Sequence, residues 1–318
     1  MIEPMPGGKP TWTVIIPTLN RPDMLKRAIE SCLAQSEPCE IVVIDDHSSD
    51  ETVQVAAQFP QIVYIRNARN LGHSASVNRG IECASGSWVK HIDDDDFLHK
   101  DCLLRMSAAI MEAQQRRHDP RMITCVAINI DVAGRPLGKT RTLPVDRAAL
   151  MKRKDLLPMM MCDQVPLGTP VQVAHERRAA LAVGGWNAAR PITFRNGDES
   201  EFWIRLASQG DAIFLPEALG YRTLWSGNET PSCTDRRQIS RYLKQRISEQ
   251  MSDDGIGQIP QDIARYLDLH WGLVALKNGE PRAGLRFLLG GMFHWSAYRY
   301  IWRRSRFADA IKLVYVCD

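Results

Sequence analysis

The 318-residue chain predicts an α/β fold, a mostly parallel, doubly wound sheet flanked by helices with a helical extension at its C-terminal end. Three observations carry that expectation. Short β-branched runs alternate with segments of helical periodicity between residues 13 and 130. Polar and acidic residues collect at the carboxyl ends of the runs, where open parallel sheets bind ligands. The composition, 44% hydrophobic and 24% charged, is that of a globular protein with ample sequence for a core.

The elements follow in order. TVIIP (13–17) is a strand closed by proline, and residues 21–35 place Leu25, Ala28, Ile29, Cys32 and Leu33 at helical spacing behind Pro22, which suits a first turn. EIVVID (40–45) is an apolar strand, and Ser48 with Glu51 predicts a capping box for the helix after it. QIVYIR (61–66) is a third strand, followed by a turn and a helix. SWVKHI (87–92) is a fourth, running into Asp93, Asp94, Asp95 and Asp96. A helix over 100–115 and a strand over 122–130 complete the series, and residues 168–191 read as a strand, a helix and a Gly-Gly turn.

Four consecutive aspartates are costly. Two carboxylates ~7 Å apart repel by roughly 2 kcal/mol at an effective dielectric of ~20. If strand geometry continues through them, Asp93 and Asp95 share one face and Asp94 and Asp96 the other. Two carboxylates on one face can share a hard divalent cation, Mg²⁺ or Mn²⁺, whose open positions take water and phosphate oxygens. The plain alternative is a solvated acidic turn. Its position beside two other polar strand ends, Thr18 with Asn20 and Asp45 with Asp46, favours a site. Asp45 and Asp46 have their own plain reading, as the turn and cap of the next helix.

Other features narrow the classes. The net charge of +3 is mild, so electrostatic arguments rest on local clusters. Eight scattered cysteines without a C-x-x-C pair suit free thiols in a reducing compartment. The N-terminal stretch MIEPMPGGKP lacks an apolar core, and no run of 18 uncharged apolar residues occurs, which suggests a cytoplasmic protein. PTLNRP stands where a dinucleotide fold would carry G-x-G-x-x-G, and no P-loop motif is present.

TVIIPTLNRPDMLKRAIESCLAQ, EIVVIDDHSSDET, RNLGHSASVNRGIECASGSWVKHIDDDDF and VGGWN…GDESEFWIRL together resemble the GT-A glycosyltransferases of family 2, from about residue 12 to 225. The resemblance implies a Rossmann-like, inverting, metal-dependent enzyme that uses a nucleotide-sugar donor, most often a UDP-sugar. It implies a nucleotide-sugar half at 12–110, an acceptor half at 111–230, a flexible 1–11 and a helical extension at 231–318. By position, Pro17, Thr18 and Asn20 match the first-strand loop that lines the nucleotide, and Asp46, with Asp45 close by, the acid that contacts the base. Asn78 matches the loop flanking the diphosphate, though Val77 stands where many relatives carry arginine. Asp93 and Asp95 match the outer positions of the D-x-D, with Asp95 the principal metal ligand, Asp93 aiding the ribose and metal shell, and Asp94 between them a further donor-binding residue.

In FRNGDESEFWIRLASQG (194–210) the family's E-D-x-x-x-W-x-R is reversed to Asp198-Glu199. Counting back from Arg205 makes Glu199 the register match to the general base and Asp198 its neighbour, and either could take the acceptor hydroxyl's proton. The same acids also read as the polar first turn of an amphipathic helix, favoured there by its dipole. His175 reads as structural rather than as a sugar contact, and the methionines of MMMC (159–162) as gap-filling core or as a lip for an apolar acceptor. Residues 282–307 interleave six arginines with aromatics and carry no acid, which suits either a packed helix or the anionic inner surface of a membrane; no motif supports nucleic acid. The acceptor implied is a glycan or lipid-linked hydroxyl, and the alternative is a non-catalytic nucleotide- or glycan-binding scaffold of the same fold.

Overall fold

The computed structural model describes residues 8–166, 168–188, 197–228, 232–252, 260–301 and 313–316. The first part alternates as expected: β1 (Trp12–Thr18), α1 (Pro22–Leu33), β2 (Cys39–Asp45), α2 (Thr52–Ala56), β3 (Val63–Arg66), α3 (His73–Cys83) and β4 (Trp88–His91). Then come β5 (Phe97–Leu98), α4 (Cys102–Gln115), β6 (Pro120–Ile130), β7 (Pro136–Lys139), β8 (Ala149–Met151), α5 (Arg153–Met161), β9 (Val173–Glu176) and α6 (Arg177–Ala182). α7 (Asp198–Ala207) and β10 (Asp211–Thr223) lead to α8 (Cys233–Met251), α9 (Gln261–Lys277), α10 (Pro281–Gly291) and β11 (Val314–Tyr315).

The main path of the sheet runs β11-β8-β10-β6-β9-β4-β1-β2-β3. β1 is parallel to both β2 and β4, and β2 to β3, so the first four main strands form the parallel unit the alternation predicts. Beyond β4 the sheet is mixed. β6 is not the parallel neighbour of β4; β9 lies between them, antiparallel to both. Parallel neighbours need a crossover, usually a helix, and the regular strand–helix alternation that supplies crossovers stops after β6.

β1 is buried along its whole length, the mark of a strand covered on both faces. Alternation sends Val14 and Ile16 into a core with Leu25 and Ile29 of α1 and Met106 and Ile110 of α4. Ile15 points the other way, into a core with Val77 and Ile81 of α3 and Phe202 and Trp203 of α7. Gly80 is where α3 meets the sheet: a Cβ there would lie 2.4 Å from Ile15 Cγ2.

Two local expectations are corrected or sharpened. The Ser48–Glu51 capping box does not form, because Ser48 Oγ accepts from the Asn20 N–H instead. Asp50 serves α2 in its place, taking the N–H and hydroxyl of Thr52 at 3.0 and 2.6 Å. Met159 and Met161 are buried in the core, as gap-filling residues are.

Two buried polar groups tie β9 into place. Lys90 of β4 is fully buried, and its ammonium donates to the carbonyls of Pro170, Val171 and Val173 at 3.0, 2.6 and 3.1 Å. All three donors are thereby satisfied. Beside it His91 Nε2 meets His175 Nε2 of β9 at 2.6 Å. Since His175 Nδ1 faces the carbonyl of Glu176, it carries the proton, which makes His175 Nε2 the acceptor and His91 Nε2 the donor.

Candidate active site

A cleft of about 760 Å³ opens at the carboxyl ends of β1, β2 and β4. Pro17, Thr18 and Asp46 line one side, the start of α3 (Gly72 to Ser76) another, and Asp93 to Asp96 the floor. Trp186, Asp198, Glu199, Arg222 and Thr223 also line the cleft, Thr223 against the aspartates.

The four aspartates do not continue the strand. β4 ends at His91, and the Asp96 N–H donates to the Asp93 carbonyl at 3.0 Å, closing a turn. The two-face alternation expected for them is therefore corrected. Asp96 joins Asp93 and Asp95, with one oxygen of each within 4.8 Å of the others. Asp94 turns away and accepts from Thr18 Oγ1 and Arg21 Nη1, both at 2.8 Å.

The turn is anchored from outside. Arg27 of α1 reaches the Asp95 carbonyl at 2.6 Å and Thr223 Oγ1 at 2.8 Å, with its guanidinium over Phe97. Asp96 Oδ1 accepts the Thr223 N–H at 2.9 Å. Asp95 Oδ2 accepts from the indole of Trp225 at 2.9 Å and the amide of Asn228 at 3.3 Å. Arg21 lies over the Trp225 ring.

Charge crowding governs the titration of these groups. Burial, then Asp93 and Asp95, push Asp96 well above the carboxylate range. Burial and Asp93 raise Asp95, and burial lifts Asp94 to about 6 against Arg21 and Thr18. Burial would raise Asp93 too, but the hydrogen bond and charge of His73, 2.9 Å away, outweigh it and hold Asp93 down. Each pair of ionised carboxylates at such spacing repels by about 3 kcal/mol at an effective dielectric of ~20. Three hard oxygen ligands, two of them raised by burial and by their acidic neighbours, fit a divalent cation such as Mn²⁺ or Mg²⁺, which would relieve the repulsion.

Asp198 and Glu199 open α7 behind Gly197, whose φ of 114° is left-handed backbone open to glycine. Ser74 Oγ donates to Asp198 Oδ2 at 3.0 Å, joining α3 to α7. Burial, then Asp93 and Asp198, raise Glu199 above its ordinary value. Glu201, from the same acidic run, faces the core and ion-pairs with Arg205 at 2.7 Å.

Three of the expected residues stand behind the cleft wall. Asp45 is fully buried and accepts from the Tyr64 hydroxyl and the Ser48 N–H, so it fixes the end of β2. Asn20 accepts from the Ser49 N–H at 2.7 Å. Asn78 exchanges two hydrogen bonds with the Trp186 backbone and positions that wall. Asp46 does line the cleft, and also holds the N–H groups of Leu71 and Gly72, both at 2.8 Å. Sequence reasoning missed His73, Arg21, Trp225 and Asn228. For the last two no signal existed, since they reach Asp95 across about 130 residues of chain.

The fold is that of the GT-A glycosyltransferases. Staphylococcus aureus TarS in complex with UDP-GlcNAc superposes with a TM-score of 0.58 at 15% identity, covering 94% of this chain and 91% of that one. A Pyrobaculum calidifontis mannosyltransferase in complex with GDP-Man and Mn²⁺ gives 0.54 at 18% identity, covering 96% and 87%. Residues 13–156, just under half of the chain, match the family model described as Glycosyl transferase family 2. An uncharacterized Mycobacterium tuberculosis protein is 27% identical over 258 residues, 74% of this chain and 76% of its own. The succinoglycan biosynthesis protein ExoO of Rhizobium meliloti is 39% identical over 100 residues, 30% of this chain and 29% of its own, so under a third of that relative is spanned.

Proposed function

We propose that the protein is an inverting glycosyltransferase that moves a sugar from a nucleotide diphosphate donor, a UDP-sugar, to a hydroxyl of a glycan or lipid-linked acceptor in bacterial cell-surface polysaccharide synthesis. The observation that carries the reading is a carboxylate triad and a second acid pair lining the same cleft. Asp93, Asp95 and Asp96 would hold Mn²⁺ or Mg²⁺, which supplies positive charge to offset a departing diphosphate. Pro17, Thr18 and Asp46 would line the nucleoside, and the start of α3 the phosphates.

Glu199 is the better base of the two acids. Asp198 is occupied by Ser74, whereas Glu199 accepts no side-chain hydrogen bond among the described residues, and its raised value suits proton uptake. In that role it takes the acceptor hydroxyl's proton as the oxygen attacks the anomeric carbon and the nucleoside diphosphate leaves. ExoO is a succinoglycan biosynthesis protein, which supports the acceptor class, and the UDP-GlcNAc complex of TarS supports the donor class.

The test is thermal stability against a panel of nucleoside diphosphates and nucleotide sugars, with and without Mn²⁺, for the wild type and Asp95→Asn. A ligand at 100 times its Kd adds about 2.7 kcal/mol of stability. A Mn²⁺-dependent upward shift for uridine ligands, lost in the variant, is the expected result. No shift with any nucleotide overturns the reading.

A further inference from the structure

We propose that the outward face of α10 and the helical turns over 295–301 dock on the surface of an anionic lipid bilayer. α10 buries Gly284, Phe287 and Gly291 inward, yet its opposite side is also apolar. Leu285 and Leu289, 60% and 58% exposed, are one helical turn apart, and Phe293 (76%) follows four residues on. Trp295, 80% exposed, follows at the start of the helical turns over 295–301. Large apolar side chains exposed at successive turns in this way mark an interaction site rather than an ordinary solvated helix.

Charge selects the occupant. Arg282, Arg286 and Arg299 are exposed beside the apolar side chains, and the sequence carries no acid from Pro281 to Ala308. Among the described residues none of these three arginines is in an ion pair. A second copy docking by two-fold symmetry would bring like-charged patches together, which disfavours self-association. Lipid headgroups bearing phosphate meet arginine directly, while leucine, phenylalanine and tryptophan enter the boundary below them. No described helix is long and apolar enough to cross a membrane, so the contact is a lying one. Gly272 and Gly284 fix α9 against α10, since a Cβ at either would fall under 3 Å from the facing leucine, and the patch is therefore presented on a rigid hairpin. Trp302 and Arg303 to Arg306 lie outside the described residues.

The test uses the whole chain and no nucleotide, so its failure leaves the donor-site result untouched. Binding is measured by co-sedimentation with phosphatidylcholine vesicles and with mixed phosphatidylcholine–phosphatidylglycerol vesicles. Binding to the mixed vesicles alone is expected, weakening as salt rises. Leu289→Glu with Trp295→Glu should cut it at least about tenfold, and Arg282→Gln, Arg286→Gln and Arg299→Gln together by about 100-fold with loss of the salt dependence. Melting temperatures of both variants should match the wild type, because the replaced side chains are exposed. Equal binding to neutral and mixed vesicles, or no binding to either, overturns the proposal. So does a concentration-dependent dimer in sedimentation velocity that Leu289→Glu dissolves.

Discussion

Asp198 and Glu199 are neighbours in the first turn of α7 and both line the cleft, but Asp198 is tethered to Ser74 while Glu199 accepts no side-chain hydrogen bond among the described residues. Replacing Glu199 by Gln should therefore lower kcat by about 10²- to 10⁴-fold while leaving the nucleotide-induced thermal shift intact. Losing that shift as well would make Glu199 a binding group. Because a base acts ionised and burial raises Glu199, the rate should climb with pH through a limb lying above the ordinary 4.5. At this scale the sequence made the acids legible by type and spacing. It did not reveal that Asp96 joins Asp93 and Asp95, because a turn closed by one backbone hydrogen bond replaces strand geometry there.

At the scale of elements, the contact between β4 and β9 has a consequence for pH. His91 and His175 are both fully buried and share one proton across their Nε2 atoms. Burial and then the facing ring hold His91 well below the usual histidine value, and burial takes His175 to about 4. The unfolded chain, near 6.5, binds more protons below that pH, so the pair's contribution is complete above about 6.5 and is lost as pH falls toward 4. Each histidine then removes up to about 1.4 kcal/mol per pH unit. Urea midpoints between pH 6.5 and 5.0 should fall less steeply for His91→Gln/His175→Gln than for the wild type. Identical slopes would show that the pair does not titrate with unfolding. His175 was legible as structural, but its partner was not, since 84 residues separate the two and only the sheet order brings them together.

For the molecule as a whole, the parallel unit β3-β2-β1-β4 was legible because each strand is a short apolar run followed by a helix of 3.6-residue period. The mixed half was not. β8 is only three residues long, too short for periodicity to register; β9 was legible as a strand within 168–191, but its place between β4 and β6 is set by pairing with strands far away in sequence. The cleft straddles both halves: the aspartate turn belongs to the first and α7 to the second, so its two acid sets could be read separately but not seen to line the same cleft.

The seating of β9 also constrains how the chain can be made. As a ribosome releases the chain from its N-terminus, β4 and β6 emerge well before residues 170–176. Until then the Lys90 ammonium has none of its three carbonyl acceptors, and both strands present open edges. The family-matched stretch, which stops at residue 156, therefore lacks the strand that completes its own sheet. A fragment ending at residue 156 should pellet after expression, whereas one extended through β10 to residue 228 should stay in the supernatant. A soluble 1–156 fragment with a cooperative melt would mean that β9 is an addition to a finished unit. Nascent chains paused between these two points are accordingly the ones that need a chaperone's cover.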